Sequence, residues 1–193
     1  MNTPHFNIQL PDWCHEYTQN VGKTYPERSA QMAFVLEIVD KNIDHGGGPF
    51  GAAVFDQEEK LISIGMNLVT ASNCSLLHAE IVALVLAEKS QHNYDLSNHG
   101  KQHFSLVTSC EPCTMCLGAT IWSGIDHIIC AARDEDARAI GFDEGPKPSD
   151  IDKELRERNI LLTRDILRNK AVTLMQKYCD SGKPIYNSAR KPT

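Results

Sequence analysis

The chain has 193 residues, the length of one ordinary domain, and 41% of them are hydrophobic while 23% are charged. With only 12 Gly and 9 Pro, the composition excludes a collagen-like or low-complexity chain. A net charge of −6 means that the overall field repels phosphate backbones and anionic lipid surfaces, which favours a small neutral substrate over nucleic acid or membrane.

The cellular setting follows from the apolar runs and the cysteines. The longest unbroken apolar run, 81–87, is far shorter than the roughly 20 residues that a membrane-spanning helix needs. The first residues, MNTPHFNIQLPDW, lack the basic and apolar segments of a secretory leader. Seven cysteines are an odd number in a chain too large to need disulfides. We therefore expect a cytoplasmic protein whose thiols are reduced and available for catalysis or metal binding.

The first half of the chain predicts a helix, a hairpin and a second helix. Apolar residues at 32, 35, 36, 39 and 43 have helical spacing, and a run of glycines from Gly46 ends the pattern, so a helix is predicted over 28–43. Two short apolar segments, 50–55 and 61–64, are separated by a polar linker, which is typical of a β-hairpin. A second helix is predicted over 78–89.

The second half of the chain predicts alternating strands and helices. Buried strands are predicted over 104–108 and 128–132, and between them 113–123 has the composition of a helix that ends at Gly124. A short helix over 151–158 and a longer one over 165–178 follow. The pattern indicates an α/β domain over 26–180 whose sheet is covered by helices. We expect 1–25 to be a loose N-terminal extension and 181–193 to be a C-terminal tail.

Two short motifs carry ligands and a proton acceptor at the starts of predicted helices. The first is HAE at 78–80 and the second is PCTMC at 112–116, so His78, Cys113 and Cys116 offer one imidazole and two thiolates. Three such ligands leave the fourth position of a tetrahedral zinc site open for water, which distinguishes a catalytic zinc site from a structural one. Glu80 is expected to move protons rather than to bind the metal, as in the H-x-E and P-C-x-x-C signature of zinc deaminases.

Simpler interpretations exist for each motif alone. An isolated C-x-x-C is often a redox pair or half of a structural zinc site, and an isolated His before an apolar helix is usually a core or capping residue. Cys110 adds a third thiol for two places, but it falls at the end of a predicted strand, so we assign the ligand positions to Cys113 and Cys116. The two motifs together favour catalytic zinc.

Several longer segments, GGGPFGAAVF, GMNLVTASN, HAEIVAL, TSCEPCTMCLGATIWSGI and GFDEG, resemble the cytidine deaminase-like superfamily. Within that superfamily they are similar to the bacterial guanine deaminases. The resemblance implies a three-layer α/β/α fold with a central mixed sheet of about five strands, one Zn²⁺ per chain and a homodimer. It also implies hydrolytic deamination of guanine to xanthine and ammonia, as in purine catabolism, with aminotriazines such as ammeline as further substrates.

The resemblance also assigns roles to individual residues. His78, Cys113 and Cys116 hold zinc, while Glu80 takes a proton from the metal-bound water and delivers it to a ring nitrogen of the base. Glu144, in GFDEG, is a second catalytic carboxylate that accepts N–H groups of guanine and passes a proton to the departing amine. The resemblance further implies that the base is hydrogen-bonded by the amide of Asn67, stacked on the ring of Phe50 and contacted by Ala79 at the start of a helix. Trp122 is implied as a wall of the pocket and Tyr186 as a lid.

Other functions remain open at this point. The shared metal site is also compatible with deamination of cytosine or another free base, and the base that releases ammonia would discriminate between them. Deamination of a base in tRNA or another nucleic acid would require a surface that holds the strand, which the net charge of −6 disfavours. A noncatalytic zinc-binding or interaction domain would leave Glu80 and the open coordination position without a purpose.

Overall fold

A computed structural model describes residues 7–188. A five-stranded mixed sheet lies at its centre, in the strand order β2-β1-β3-β4-β5. The strands are β1 (Gly51–Asp56), β2 (Leu61–Met66), β3 (Phe104–Cys110), β4 (His127–Ala132) and β5 (Leu161–Thr163). β1 is antiparallel to β2 and β3, whereas β3, β4 and β5 are parallel.

Seven α-helices accompany the sheet in the described residues. They are α1 (His15–Thr18), α2 (Arg28–Asp44), α3 (Ala79–Gln91), α4 (Thr114–Ser123), α5 (Asp134–Ala139), α6 (Ile151–Arg156) and α7 (Arg168–Asp180). α2 and α7 contact one face of the sheet and each other, while α3 lies over β1 and β2 and contacts α4. The expected three-layer α/β/α fold with five strands is confirmed. No helix within 7–188 combines the length and apolar composition needed to cross a bilayer.

The two faces of the sheet carry separate hydrophobic clusters because successive strand residues point to opposite faces. Ala53 and Phe55 of β1 pack in the cluster formed with α2 and α7, while the alternate residues Ala52 and Val54 pack in the cluster formed with α3. All four side chains are fully buried. This burial on both faces explains why β1 reads as a continuous apolar run in the sequence.

The segment before residue 26 differs from the expected loose extension. A short 3₁₀-helix, Asp12–Cys14, leads into α1, and Cys14 and Tyr17 are buried in the α2 side of the core. Two aromatic contacts, Trp13 with His45 at the end of α2 and Tyr17 with Phe34 within α2, join this segment to α2. The extension is therefore packed around Trp13, Cys14 and Tyr17, whereas residues 21–24 are exposed. Residues 1–6 lie outside the described part of the chain.

The crossover from β3 through α4 to β4 positions the functional region. Parallel strands β3 and β4 end side by side, with Cys110 paired to Ala132. Ligand sites in α/β sheets form beyond the carboxyl ends of such strands. α4 begins directly after this edge of the sheet at Thr114, and the 67–78 loop brings the start of α3 to the same place.

Candidate active site

His78 and Cys113 occupy equivalent positions at the starts of two helices. His78 is the N-cap residue of α3 and Cys113 is the N-cap residue of α4, and both have extended backbone conformations. An N-cap side chain usually bonds to a free backbone N–H of the first turn, but neither of these does so. Both side chains are therefore free to point toward each other across the gap between the helices.

The three predicted ligands converge on one point. His78 Nδ1 lies 3.5 Å from Cys113 Sγ and 3.6 Å from Cys116 Sγ. The donor atoms of the three residues all lie within 4.8 Å of one another, and no other such group occurs within 7–188. Donors bound to tetrahedral zinc at about 2.0 to 2.3 Å are spaced about 3.5 Å apart. The spacing and the chemistry of the donor set therefore fit Zn²⁺.

The two thiols are electrostatically different. The pKa of Cys113 is lowered to about 4, first by a hydrogen bond with the Cys116 thiol and also by its hydrogen bond with His78. The pKa of Cys116 is raised well above its ordinary value, chiefly because it shares its proton with Cys113 and because it is buried. One thiolate is thus already favoured without a metal, and a bound cation deprotonates a coordinating thiol outright.

Two buried carboxyl groups flank the ligand cluster. Glu80 is in the first turn of α3, is 6% exposed and has its pKa raised by burial. Its carboxylate accepts a hydrogen bond from the Cys116 thiol. Glu144, in the loop after α5, has its pKa raised to about 8, mainly by burial. Its main-chain carbonyl accepts a hydrogen bond from the N–H of Thr114, which ties the Glu144 loop to the start of α4. Two buried carboxyl groups whose pKa values are raised above the ordinary range suit proton transfer.

A cavity of about 450 Å³ opens onto the cluster, a size suitable for a small heterocycle. Phe50 and Phe142 form its aromatic side, with ring centroids 5.0 Å apart in an edge-to-face arrangement. Tyr186 of the C-terminal tail packs on the same Phe142 ring at 5.0 Å. His78, Glu80, Cys113 and Glu144 all line this cavity.

Two buried polar atoms in the cavity wall lack partners within the described residues. The Asn67 side chain accepts a hydrogen bond from the N–H of Val69 through Oδ1, but its Nδ2 has no partner. The Tyr186 hydroxyl is also buried without a partner. Leaving such groups unsatisfied costs free energy unless a ligand or water bonds to them. Both atoms are therefore candidates to contact a bound base.

The structure places most of the predicted substrate residues in the cavity, with two exceptions. Phe50, Asn67 and Tyr186 line it, but Ala79 does not: its side chain is fully buried against the sheet, which leaves only its main chain for a role at the helix start. Trp122 as a pocket wall is wrong, because it is 84% exposed and lies about 13 Å further along α4 than Cys113, on the opposite side of the helix.

Three further residues were missed by the sequence interpretation. Phe142 supplies an aromatic wall, Thr114 binds the Glu144 loop, and Asn187 accepts a hydrogen bond from the N–H of Asp143 while donating to Gly141 O at 2.7 Å. Phe142 stands inside GFDEG and could have been found there. Nothing local in the sequence indicates that Asn187 reaches the 141–143 loop.

The family comparison decides the class of the protein. Residues 26–132, more than half of the chain, match the model of the cytidine and deoxycytidylate deaminase zinc-binding region. The chain belongs to this deaminase family. As a member it is a zinc-dependent hydrolytic deaminase, and the cluster of His78, Cys113 and Cys116 is its candidate zinc site.

Two curated relatives show the range of this family. The guanine deaminase of Bacillus subtilis is 41% identical over 138 residues, which cover 72% of this chain and 81% of that protein. A tRNA-specific adenosine deaminase of Haemophilus influenzae is 37% identical over 110 residues, which cover 57% of this chain and 61% of that protein. The family relationship is therefore compatible with more than one substrate.

Solved structures resemble the whole fold. A guanine deaminase from Nitrosomonas europaea superposes with a TM-score of 0.86 at 43% identity, covering 91% of this chain and 97% of that one. A structure solved in complex with 2,6-diaminopurine gives a TM-score of 0.87 at 44% identity, covering 94% and 96%. A variant solved in complex with 8-azaguanine gives 0.87 at 43% identity, covering 94% and 99%.

Proposed function

We propose that this protein hydrolyses guanine to xanthine and ammonia. The observation that carries the proposal is the convergence of a zinc-type donor set and two buried carboxyl groups, Glu80 and Glu144, in one cavity of heterocycle size. Support comes from the relatives named guanine deaminase and from the similar structures that bind 2,6-diaminopurine and 8-azaguanine. Ammeline and related aminotriazines present a comparable amino-heterocycle edge and are proposed as further substrates.

The residues divide the chemistry between them. His78, Cys113 and Cys116 would hold one Zn²⁺, which when bound supplies Lewis-acid activation and lowers the pKa of water from about 15.7 to about 7. Glu80 accepts a proton from water and delivers it to a ring nitrogen as the oxygen adds to the amine-bearing carbon C2. Glu144 accepts hydrogen bonds from N–H groups of the base and carries the remaining proton of the added C2–OH group to the amine. The C2–N bond then breaks, so that guanine and water give xanthine and ammonia.

The remaining cavity residues orient the base. Asn67 Nδ2, which has no partner within the described residues, donates to an acceptor on the purine. Phe50, which lines the cavity, stacks on the face of the base. Ala79 offers its main-chain N–H at the start of α3. The tail over 181–193 acts as a lid, with Tyr186 closing the cavity; the part of the tail beyond residue 188 lies outside the described residues.

A panel of substrates tests the function. Zinc-loaded protein is incubated with guanine, ammeline, cytosine, adenine, guanosine and an adenosine-containing tRNA anticodon stem-loop, and ammonia is measured with Glu80→Gln as the matched control. We expect release from guanine and none from Glu80→Gln with its zinc retained. Release from cytosine or the tRNA stem-loop in preference to guanine would contradict the proposal and favour the corresponding alternative.

We also propose that the protein is a cytoplasmic homodimer. All seven cysteines are free thiols, as a reducing compartment would keep them. On the outer side of α3 and α4, Trp122 is 84% exposed and Tyr94 is 81% exposed. The loop that carries Tyr94 is tied to the end of α4 by a hydrogen bond from the Leu96 N–H to Ser123 O. An exposed apolar patch of this kind is typical of an interface.

The oligomeric state is measured by light scattering. Trp122→Glu is compared with Val172→Glu, which changes a partly exposed apolar residue on α7, at the opposite face of the sheet. We expect the parent and Val172→Glu to have the mass of two chains and Trp122→Glu to have the mass of one. A monomeric parent would refute the dimer, and a dimeric Trp122→Glu would refute this interface.

A further inference from the structure

A lysine that the proposed mechanism does not use lies next to one of its carboxyl groups. The Lys147 side chain is only 11% exposed, and its Nζ is 3.9 Å from Oε2 of Glu144, whose side chain is 8% exposed. A buried ammonium is costly unless it is paired with negative charge. The Lys147 ammonium must therefore be compensated by negative charge close to it.

Asp134 anchors this ammonium. Its Oδ1 lies 2.6 Å from Lys147 Nζ, and its Oδ2 lies 2.5 Å from Arg138 Nε. Asp134 is the first residue of α5, where the helix dipole favours an acidic side chain. Asp134 is thus held in place by its position at the start of α5 and by Arg138. Lys147 lies between Asp134 and Glu144.

Arg138 and Thr114 hold the loop that carries Glu144. Arg138 donates a hydrogen bond to Gly145 O at 2.7 Å, and the Thr114 hydroxyl donates to Pro146 O at 2.8 Å. Gly145 itself has φ +70°, a conformation that favours glycine, and an added Cβ would lie 2.9 Å from the Thr114 hydroxyl. The main chain that follows Glu144 is therefore fixed, and Lys147 is the cation that forms an ion pair with its carboxyl group within residues 7–188.

We propose that Lys147 is a positioning residue for Glu144: its ammonium, anchored by Asp134, holds the Glu144 carboxyl group in the cavity where the amino-heterocycle binds. The inference rests on the proposed function, in which Glu144 contacts the base. Lys147 does not line the cavity itself, so it acts through Glu144 rather than on the substrate. Arg is the substitution that preserves a cation at this place, and Met is the uncharged side chain of similar length.

A double-mutant cycle tests the proposal. Guanine kcat/KM is measured for Lys147→Met, Lys147→Arg, Glu144→Gln and the Lys147→Met, Glu144→Gln double variant, with zinc content and melting temperature recorded for each. We expect Lys147→Met to lower kcat/KM at least tenfold, which is about 1.4 kcal/mol, and Lys147→Arg to recover most of the loss. In the Glu144→Gln background, Lys147→Met should change kcat/KM by less than twofold.

Equal losses in both backgrounds, or a Lys147→Met variant within twofold of the parent, would overturn the proposal. If Lys147→Met does not fold, Asp134→Asn releases the anchor while keeping the lysine, and it should show the same dependence on Glu144. Turnover of guanine by the parent tests the proposed function separately. Should the parent not turn over guanine, the same cycle is measured as 8-azaguanine affinity by calorimetry, where additive effects would again overturn the role of Lys147.

Discussion

Replacing Gly65 by alanine should separate the two halves of the zinc site. Gly65 lies in β2 directly beneath α3, and a Cβ at this position would be 2.1 Å from Ala79 O and 2.6 Å from Ala83 N. Both obstacles are backbone atoms of α3, so no side-chain rotation can relieve the contact. The start of the helix, which carries His78 and Glu80, would have to move by about 1 Å to restore an ordinary contact distance.

The expected cost follows from this geometry. Inserting one extra carbon into a packed core typically costs about 1 to 3 kcal/mol, and a rigid backbone obstacle places Gly65→Ala near the upper end. For a chain of this size, about 3 kcal/mol corresponds to a melting temperature lowered by about 6 to 12 °C. Because His78 shifts while Cys113 and Cys116 stay on α4, zinc affinity should fall by about tenfold or more.

The assay compares zinc affinity by competition with a chelator and stability by thermal unfolding. Gly118→Ala is the matched control, because Gly118 is inside α4 and an added Cβ would meet nothing within 4 Å. That control should be unchanged or more stable by up to about 1 kcal/mol, since alanine is the better helix former. A Gly65→Ala protein with parental zinc affinity and a melting temperature within about 1 °C of the parent would show that Gly65 does not set the position of α3.

Three further predictions concern the tail, the base contact and acid stability. Truncation after Lys183 removes Tyr186 and should lower guanine kcat/KM at least tenfold while the chain retains its zinc. Unchanged turnover would exclude a role of the tail as a lid. Asn67→Ala should raise KM for guanine by about tenfold through loss of one hydrogen bond to the base, and an unchanged KM would exclude that contact. A hydrogen bond from Arg168 lowers the pKa of Asp136, so the stabilisation from this pair is present above about pH 4 and is lost as the pH falls further. Urea unfolding should show Arg168→Met slightly less stable than the parent at pH 7, with the difference shrinking below pH 4, and a difference independent of pH would contradict this linkage.

The apolar periodicity and the two metal motifs predicted most of the helices and strands and the zinc ligands. The helix predicted over 28–43 is α2, and the strands predicted over 104–108 and 128–132 are β3 and β4 with bounds shifted by one or two residues. These elements are long and buried, so their apolar patterns are strong. β5 was missed because three residues, of which Leu161 is 61% exposed, are too few to show a pattern.

Residues near the metal motifs were placed better than residues assigned by the resemblance alone. His78, Cys113 and Cys116 meet because both helices begin at the same edge of the sheet, which the strand and helix order implies. Trp122 was wrongly placed because a residue within the family segment TSCEPCTMCLGATIWSGI can still lie on the outer side of α4. The contact between Asn187 and the 141–143 loop spans more than 40 residues of sequence, and no local pattern reports it.

X-ray absorption at the zinc edge of the loaded protein counts the donors around the metal and so distinguishes a catalytic zinc site with bound water from a closed structural one. We expect two sulfur donors at about 2.3 Å and two nitrogen or oxygen donors at about 2.0 Å, which are His78 and a water molecule. The water component should change when 8-azaguanine is added. Three sulfur donors, with Cys110 joining Cys113 and Cys116, would close the site to water and contradict hydrolytic deamination by this protein.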